Sequence, residues 1–354
     1  MHPEEQHEQR TPQAKNRSRC LFNGPERRAL CNLTFMDEMP TDAARIWAEA
    51  ETPHNAEADI ERRNPSAMRI TGTLSDIQAG LAVRAPAMIV TIYGDIVVPR
   101  GGVLWMGTLV EICAGLGISE TLVRTAVSRL VAAGQLVGER DGRRSYYGLA
   151  SGARTEFAAA ARLLYGPPSS ARGFLIHHAP GVDDETVRRA GLGRMGPDLY
   201  MRSDHPGNLP LPGLTFRAEV AEEAALLPAY AATLWNLQSF ADGYRAVIDL
   251  FSPLAAALHE GAALLPADAV SARLLLVQAY RAVLLRDPRL PSDALPADWP
   301  GIAARRLFSE LYRKISPLAD DYIGTHFEAR DGYLPARTDE VVARLQSLAS
   351  DADV

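Results

Sequence analysis

The stretch that most constrains this chain is Gly117–Leu149, GISETLVRTAVSRLVAAGQLVGERDGRRSYYGL. Leu122, Val123, Ala126, Val127, Leu130 and Val131 recur at the helical period and predict one apolar face. Thr121, Arg124, Thr125 and Ser128 fall on the opposite face, with Arg129 at its edge. Ser119 is placed to cap the helix, Glu120 suits the positive end of its dipole, and Gly134 closes it. Two β-prone runs then flank Asp141-Gly142, which predicts a tight hairpin. The apolar face of such a helix must be covered by its own domain, so covering elements are expected among the residues before it.

Two covering helices are predicted there. PAMIVTIYGDIV reads as a helix starting after Pro86 and ending near Tyr93-Gly94. PRGG reads as a loop, and VLWMGTLVEICAGLG as a second helix with Leu104, Leu109, Ile112 and Cys113 on one side. Three helices and a hairpin within residues 84–150 predict a winged helix-turn-helix. Around it, residues 1–80 read as a disordered extension, with Met68 a possible alternative start. Residues 151–217 read as a linking helix (153–165) and a small α/β module with GFLIHH and DLYMRS as strands. Residues 218–330 read as helical, in segments 219–238, 240–259, 267–285 and 302–326, and 331–354 as a tail. The fold class expected is α+β, mostly helical.

A helix that enters the major groove needs short polar and basic side chains on its outer face. Thr121, Thr125 and Ser128 are small enough to let the backbone approach base edges, and Arg124 reaches a guanine edge or a phosphate. Arg129, and in the wing Arg140, Arg143 and Arg144, are expected on the phosphate backbone. The competing reading is that these are solvated charges, since winged folds also dock proteins. Tyr146 and Tyr147 alternate on the second wing strand, so one is expected in the core and the other at the surface.

Net charge tests this reading only weakly. The chain carries −6, yet residues 84–149 hold seven basic against five acidic residues, a local +2 that leaves −8 elsewhere. A polycationic nucleic-acid coat is excluded, while a local interface is not. Cys20, Cys31 and Cys113 show no CxxC spacing and are odd in number, which argues against a disulfide framework or a zinc site. No apolar run of about 18 or more residues predicts a membrane span, and the polar N-terminus lacks a secretory h-region. A cytoplasmic protein is expected.

Catalytic and metal chemistry find little support. GxSxG, P-loop and HExxH patterns are missing, and GLGRMG at 191–196 lacks the helix a dinucleotide fingerprint needs. His177 and His178, followed by Asp183, Asp184 and Glu185, invite a metal reading, but adjacent strand residues face opposite ways. Cys113 lies within an apolar helix and reads as core rather than nucleophile. No catalytic residue, cofactor or metal is expected. Arg273, Arg281 and Arg286 space basic groups along SARLLLVQAYRAVLLRDPRLP, where they pair with local acids such as Asp287 or hold an anionic effector.

The run IVTIYGDIVVPRGGVLWMGTLVEICAGLGISETLVRTAVSRLVAAGQL, followed by GRRSYYGL, resembles the N-terminal domain of the PaaX-type repressors of phenylacetate catabolism. WNLQSFADGYRAVIDLF and the RDPRLP, LPADWPG and LYRK elements resemble that family's C-terminal helical domain. Together the two matches cover about 84–165 and 217–323. The resemblance implies a homodimeric repressor that leaves its DNA operator when an aryl-CoA thioester, typically phenylacetyl-CoA, binds. It also implies a ferredoxin-like central module, with the reading helix within 119–132 and the wing around Arg143 and Arg144. This chain departs from the family pattern in the middle. SSARGFLIHHAP has no Trp, and Gln278 stands where the family often has His. Two other readings therefore stay open: a regulator answering a different ligand, and an acyl-CoA enzyme with a vestigial winged domain.

Overall fold

Every residue from Ala272 through Arg281 is buried, so this stretch of helix has no solvent face and must occupy the centre of a helical assembly. The computed structural model describes residues 65–208 and 210–350, and the rest of the assembly is built around that helix.

Helix α1 (Pro65–Gly80) leads into α2 (Ala85–Ile92), which continues through a π turn (Tyr93–Val97) and a 3-10 turn (Val98–Arg100). Strand β1 (Val103–Trp105), α3 (Met106–Gly115), α4 (Glu120–Ala132) and the hairpin β2 (Leu136–Asp141) and β3 (Arg144–Leu149) follow. Then come α5 (Arg154–Tyr165), β4 (Phe174–His178), α6 (Asp184–Arg189), β5 (Gly193–Gly196), β6 (Leu199–Ser203) and β7 (Leu214–Ala218). The C-terminal part is α7 (Leu227–Leu234), α8 (Leu237–His259), the central α9 (Pro266–Leu284), α10 (Gly301–His326), the short hairpin β8 (Glu328–Ala329) and β9 (Gly332–Tyr333), and α11 (Asp339–Ser350). Among the described residues no single helix is long and apolar enough to cross a membrane.

The sheets are small and antiparallel. In the first, β3 lies between β1 and β2, pairing Tyr146 with Trp105 on one side and Glu139 on the other. The second has the order β5-β6-β4-β7. One continuous apolar core runs from Ile70 and Ile77 through Leu109, Val123 and Leu130 to Phe308, Ile323 and Leu348. The N-terminal helices thus share their interior with α8, α9 and α10. The second sheet has its own smaller clusters, one around Phe174, Met201 and Trp235 and one around Leu192 and Tyr200.

Several expectations need correcting. Residues 65–80 form a helix that buries Ile70, Leu74 and Ile77, where an extension was expected; residues 1–64 lie outside the described residues. Residues 339–350 are likewise a packed helix with Val341, Arg344 and Leu348 buried, not a tail. Residues 103–105 are a strand, because they pair with β3 instead of extending α3. The segment 219–238 is broken: Pro228 opens α7, and Trp235 and Asn236 leave helical geometry before α8, which Asn236 caps by accepting from Ser239 N–H.

A buried polar network ties the halves together. Asp95, in the π turn, accepts from Arg273 Nε at 2.8 Å and from the hydroxyls of Tyr165 and Tyr312, each at 2.8 Å. Asp320 accepts from Arg273 at 2.6 Å and from Arg100 at 2.5 Å. Arg344 donates to the carbonyls of Gly94 and Asp95, and its guanidinium lies 4.5 Å from the Tyr165 ring centroid. Burial raises the Asp95 carboxyl, but the charge and hydrogen bond of Arg273, with Arg344 and Tyr312, outweigh it and hold the group below the usual carboxylate range.

Glu156 on α5 contrasts with this. It is buried, and neither carboxylate oxygen has a hydrogen-bond partner among the described residues. Burial pushes its carboxyl up to about 8 against the partial offset of Arg189 and Arg281. A raised folded value means that the folded state keeps a proton the unfolded chain has lost. Stability is therefore full below the unfolded carboxylate range and falls as pH rises towards 8, by at most about 1.4 kcal/mol per pH unit. Glu156→Gln is expected to flatten this decline and to melt higher than the parent at pH 8. Equal pH profiles of thermal unfolding for the two proteins would contradict it.

Candidate nucleic-acid interface

The turn between α3 and α4 is set by a helix end. Gly117 takes φ +74°, and the Gly117 and Ile118 N–H groups donate to Ala114 and Cys113 carbonyls in the paired pattern of a Schellman stop. Gly134, at φ +71°, ends α4 the same way and feeds the chain directly into β2. These two stops fix the angle of α4 and start the hairpin. Cys113 sits in the core at the end of α3, its thiol pushed up to about 12 by burial, as befits a packing residue.

Helix α4 buries Val123, Ala126, Val127 and Leu130 and leaves Thr121, Arg124, Thr125, Ser128 and Arg129 in solvent. Leu122 and Val131, expected in the core, are exposed as well. The apolar stripe is therefore narrow, and the outer face is broader than its pattern implied. Ser119 occupies the N-cap position without making a side-chain cap. Arg124 forms an ion pair with Glu120 one turn back at 2.7 Å, an exposed pairing that a stronger anion displaces at little cost.

Arg140, Arg143 and Arg144 are exposed on the hairpin, whose last paired residues are Asp141 and Arg144. Tyr146 is buried, and Tyr147 is half-buried against the core, its carbonyl accepting from the Tyr93 hydroxyl at 3.0 Å. Neither ring is a base-stacking platform. Arg144 lies 4.6 Å over the Trp105 ring and forms a 3.0 Å ion pair with Glu328 of β8. Arg330, also on the C-terminal hairpin, pairs with Glu139 of β2. The sequence reading missed Trp105, Glu328 and Arg330. Asp331-Gly332 between short β-prone residues was the available signal for that hairpin.

The three arginines expected to hold an effector do not form one cluster. Arg273 is 1% exposed and engaged with Asp95 and Asp320, so an anion reaches it only by displacing both carboxylates. Arg281 is buried and donates to Gln278 Oε1 at 3.0 Å and Thr91 Oγ1 at 3.2 Å. Arg286 is exposed and donates to the Ala282 carbonyl. Beside Arg281, a cavity of about 30 Å³ is lined by Thr91, Phe157, Leu164 and Val277, room for about one water.

In the second sheet, His177 is buried with Nδ1 2.9 Å from Thr215 Oγ1, while the neighbouring His178 is exposed. Burial, and secondarily the charge of Arg202, lower the His177 imidazole to about 4. Among the described residues no group of three or more His, Cys, Asp or Glu side chains is arranged to hold a metal.

Two parts of the chain match known protein families. Residues 84–153 match the profile described as PaaX-like protein, and residues 235–325 that of the PaaX-like protein C-terminal domain. Over 276 residues the chain is 32% identical to the transcriptional repressor PaaX of Escherichia coli (strain K12), covering 72% of this chain and 87% of that protein. Among solved structures, the uncharacterized protein Rv0674 from Mycobacterium tuberculosis aligns with a TM-score of 0.42 at 21% identity, covering 67% of this chain and 98% of that one. Two family profiles in the expected order and a relative matched over most of its length lead to one conclusion: the chain belongs to the PaaX family.

Proposed function

We propose that this protein is a DNA-binding transcriptional repressor of a phenylacetate-type degradation operon, a regulator and not an enzyme. In this reading residues 84–150 are a winged helix-turn-helix, α4 is the reading helix and β2–β3 the wing. The second sheet is then read as a ferredoxin-like module: its order β5-β6-β4-β7 matches that fold's strand order, while among the described residues β6 joins β7 without the fold's second crossover helix. The observation that carries the proposal is the outward face of α4. Thr121, Arg124, Thr125 and Ser128 stand in solvent over a buried apolar face, next to a hairpin bearing three exposed arginines. Arg124, Thr125 and Ser128 read bases, and Arg129, Arg140, Arg143 and Arg144 hold phosphates.

The protein acts as a homodimer in the cytoplasm, its two reading helices placed about one helical turn of DNA apart. The effector is an aryl-CoA thioester, phenylacetyl-CoA or a close relative. It binds the arrangement that does not fit the operator, and each tenfold preference shifts the balance by about 1.4 kcal/mol. Of the basic groups on α9 and its end, the exposed Arg286 is the one we assign to the ligand's anionic groups, while Arg273 serves the buried network and Arg281 is held by Gln278 and Thr91. Replacing Arg143 and Arg144 together by Ala tests the interface. Operator affinity is expected to fall, and the slope of log affinity against log salt to flatten by about 0.9 for each phosphate no longer neutralised. An unchanged slope would remove the wing from the interface.

A further inference from the structure

The hairpin β8–β9 exchanges charges with the wing. The wing gives Arg144 to Glu328 and Glu139 to Arg330, so each strand pair satisfies the other's ion. The backbone behind Glu328 is fixed. Phe327 and Leu334, on either side of the hairpin, are each 2% exposed and joined by a 2.8 Å hydrogen bond from Leu334 N–H to the Phe327 carbonyl. Glu328 N–H donates to Thr108 Oγ1 on α3 at 3.2 Å. Only the carboxylate of Glu328 is therefore free to change partner. It stands two residues beyond the end of α10, the helix that also carries Tyr312 and Asp320 of the buried network.

We infer that Glu328 is an intramolecular stand-in for a DNA phosphate, competing for Arg144 and restraining operator affinity in the free protein. The inference rests on the reading of β2–β3 as a DNA-contacting wing. Arg144 offers its guanidinium to one anion in a fixed setting, stacked on Trp105. A phosphate that takes Nη1 displaces Glu328, and one bound elsewhere on the half-exposed guanidinium lies beside that carboxylate.

The test is a set of salt titrations with a fluorescent duplex carrying the DNA upstream of the protein's own gene, followed by anisotropy. The proteins are the full-length parent, Glu328→Gln, Arg144→Ala and the double variant. The exposed pair adds little to stability, so all four are expected to melt together. Glu328→Gln is expected to bind about two- to fivefold more tightly than the parent. Its salt slope should be steeper by about 0.9, the mark of one more neutralised phosphate. In the Arg144→Ala background the same change should do nothing. Unchanged affinity and slope for Glu328→Gln would overturn the inference. So would weaker binding, which would make the hairpin a support that holds the wing in place for DNA. Failure of the parent itself to bind the duplex at low salt would instead defeat the DNA-binding reading, and this inference with it.

Discussion

Asp95→Asn is expected to destabilise the protein by about 3–5 kcal/mol, the cost of leaving one buried charge unpaired. Two carboxylates, Asp95 and Asp320, balance two guanidiniums, Arg100 and Arg273, and the side chains of all four are nearly inaccessible to solvent. Removing one negative charge leaves an excess positive charge where water cannot reach it. The amide can also still accept from Tyr165 and Tyr312, but its NH2 then faces the Arg273 guanidinium that Asp95 Oδ2 held. The thermal midpoint should drop by roughly 10 °C. The pH dependence offers a second reading. Asp95 titrates below the usual range when folded, so its contribution is present above that range and is lost as pH falls through the folded value. The variant should therefore show a flatter acid limb. A midpoint within a degree or two of the parent would show that the network is not what joins α2 to α9 and α10.

Ser128→Glu is expected to abolish specific operator binding while leaving the fold intact. Ser128 is exposed on α4, and glutamate is a good helix former, so stability should change by less than about 0.5 kcal/mol. At the interface the new carboxylate would meet base edges and phosphates of the same sign of charge, a juxtaposition that costs several kcal/mol. Affinity should fall by about a hundredfold or more, against a retained melting temperature. The parent's affinity retained in Ser128→Glu would mean that the outer face of α4 does not enter the groove.

The segment 117–149 was the most legible part of the sequence. Helix 120–132 and the hairpin around Asp141-Gly142 are specified locally, by periodicity, a positive-φ glycine and turn chemistry. Strand 103–105 was not legible, since VLW continues the apolar texture of α3 and becomes a strand only because β3 supplies a partner. Helix 65–80 was hidden by its Gly, Thr and Ser content, and it is held by burial of Ile70, Leu74 and Ile77 and not by propensity. The most instructive residue is Arg273. Spacing along a helix makes it resemble a ligand-binding base, yet its partners lie 178 and 47 positions away, at Asp95 and Asp320. The pairing of Glu328 with Arg144 spans 184 positions and is equally invisible to any local pattern. Interfaces built on one helix can be read from one helix, whereas those built from two ends of a chain require the fold.

Release of this protein from DNA by an aryl-CoA thioester, the function proposed for it, can be followed in a single titration. The full-length protein is bound to duplex DNA from the region upstream of its own gene, and phenylacetyl-CoA is added, with free coenzyme A and acetyl-CoA as controls. The expected result is a saturable complex that phenylacetyl-CoA dissolves and the two controls do not. Absence of a complex, or a complex equally indifferent to all three, would contradict it.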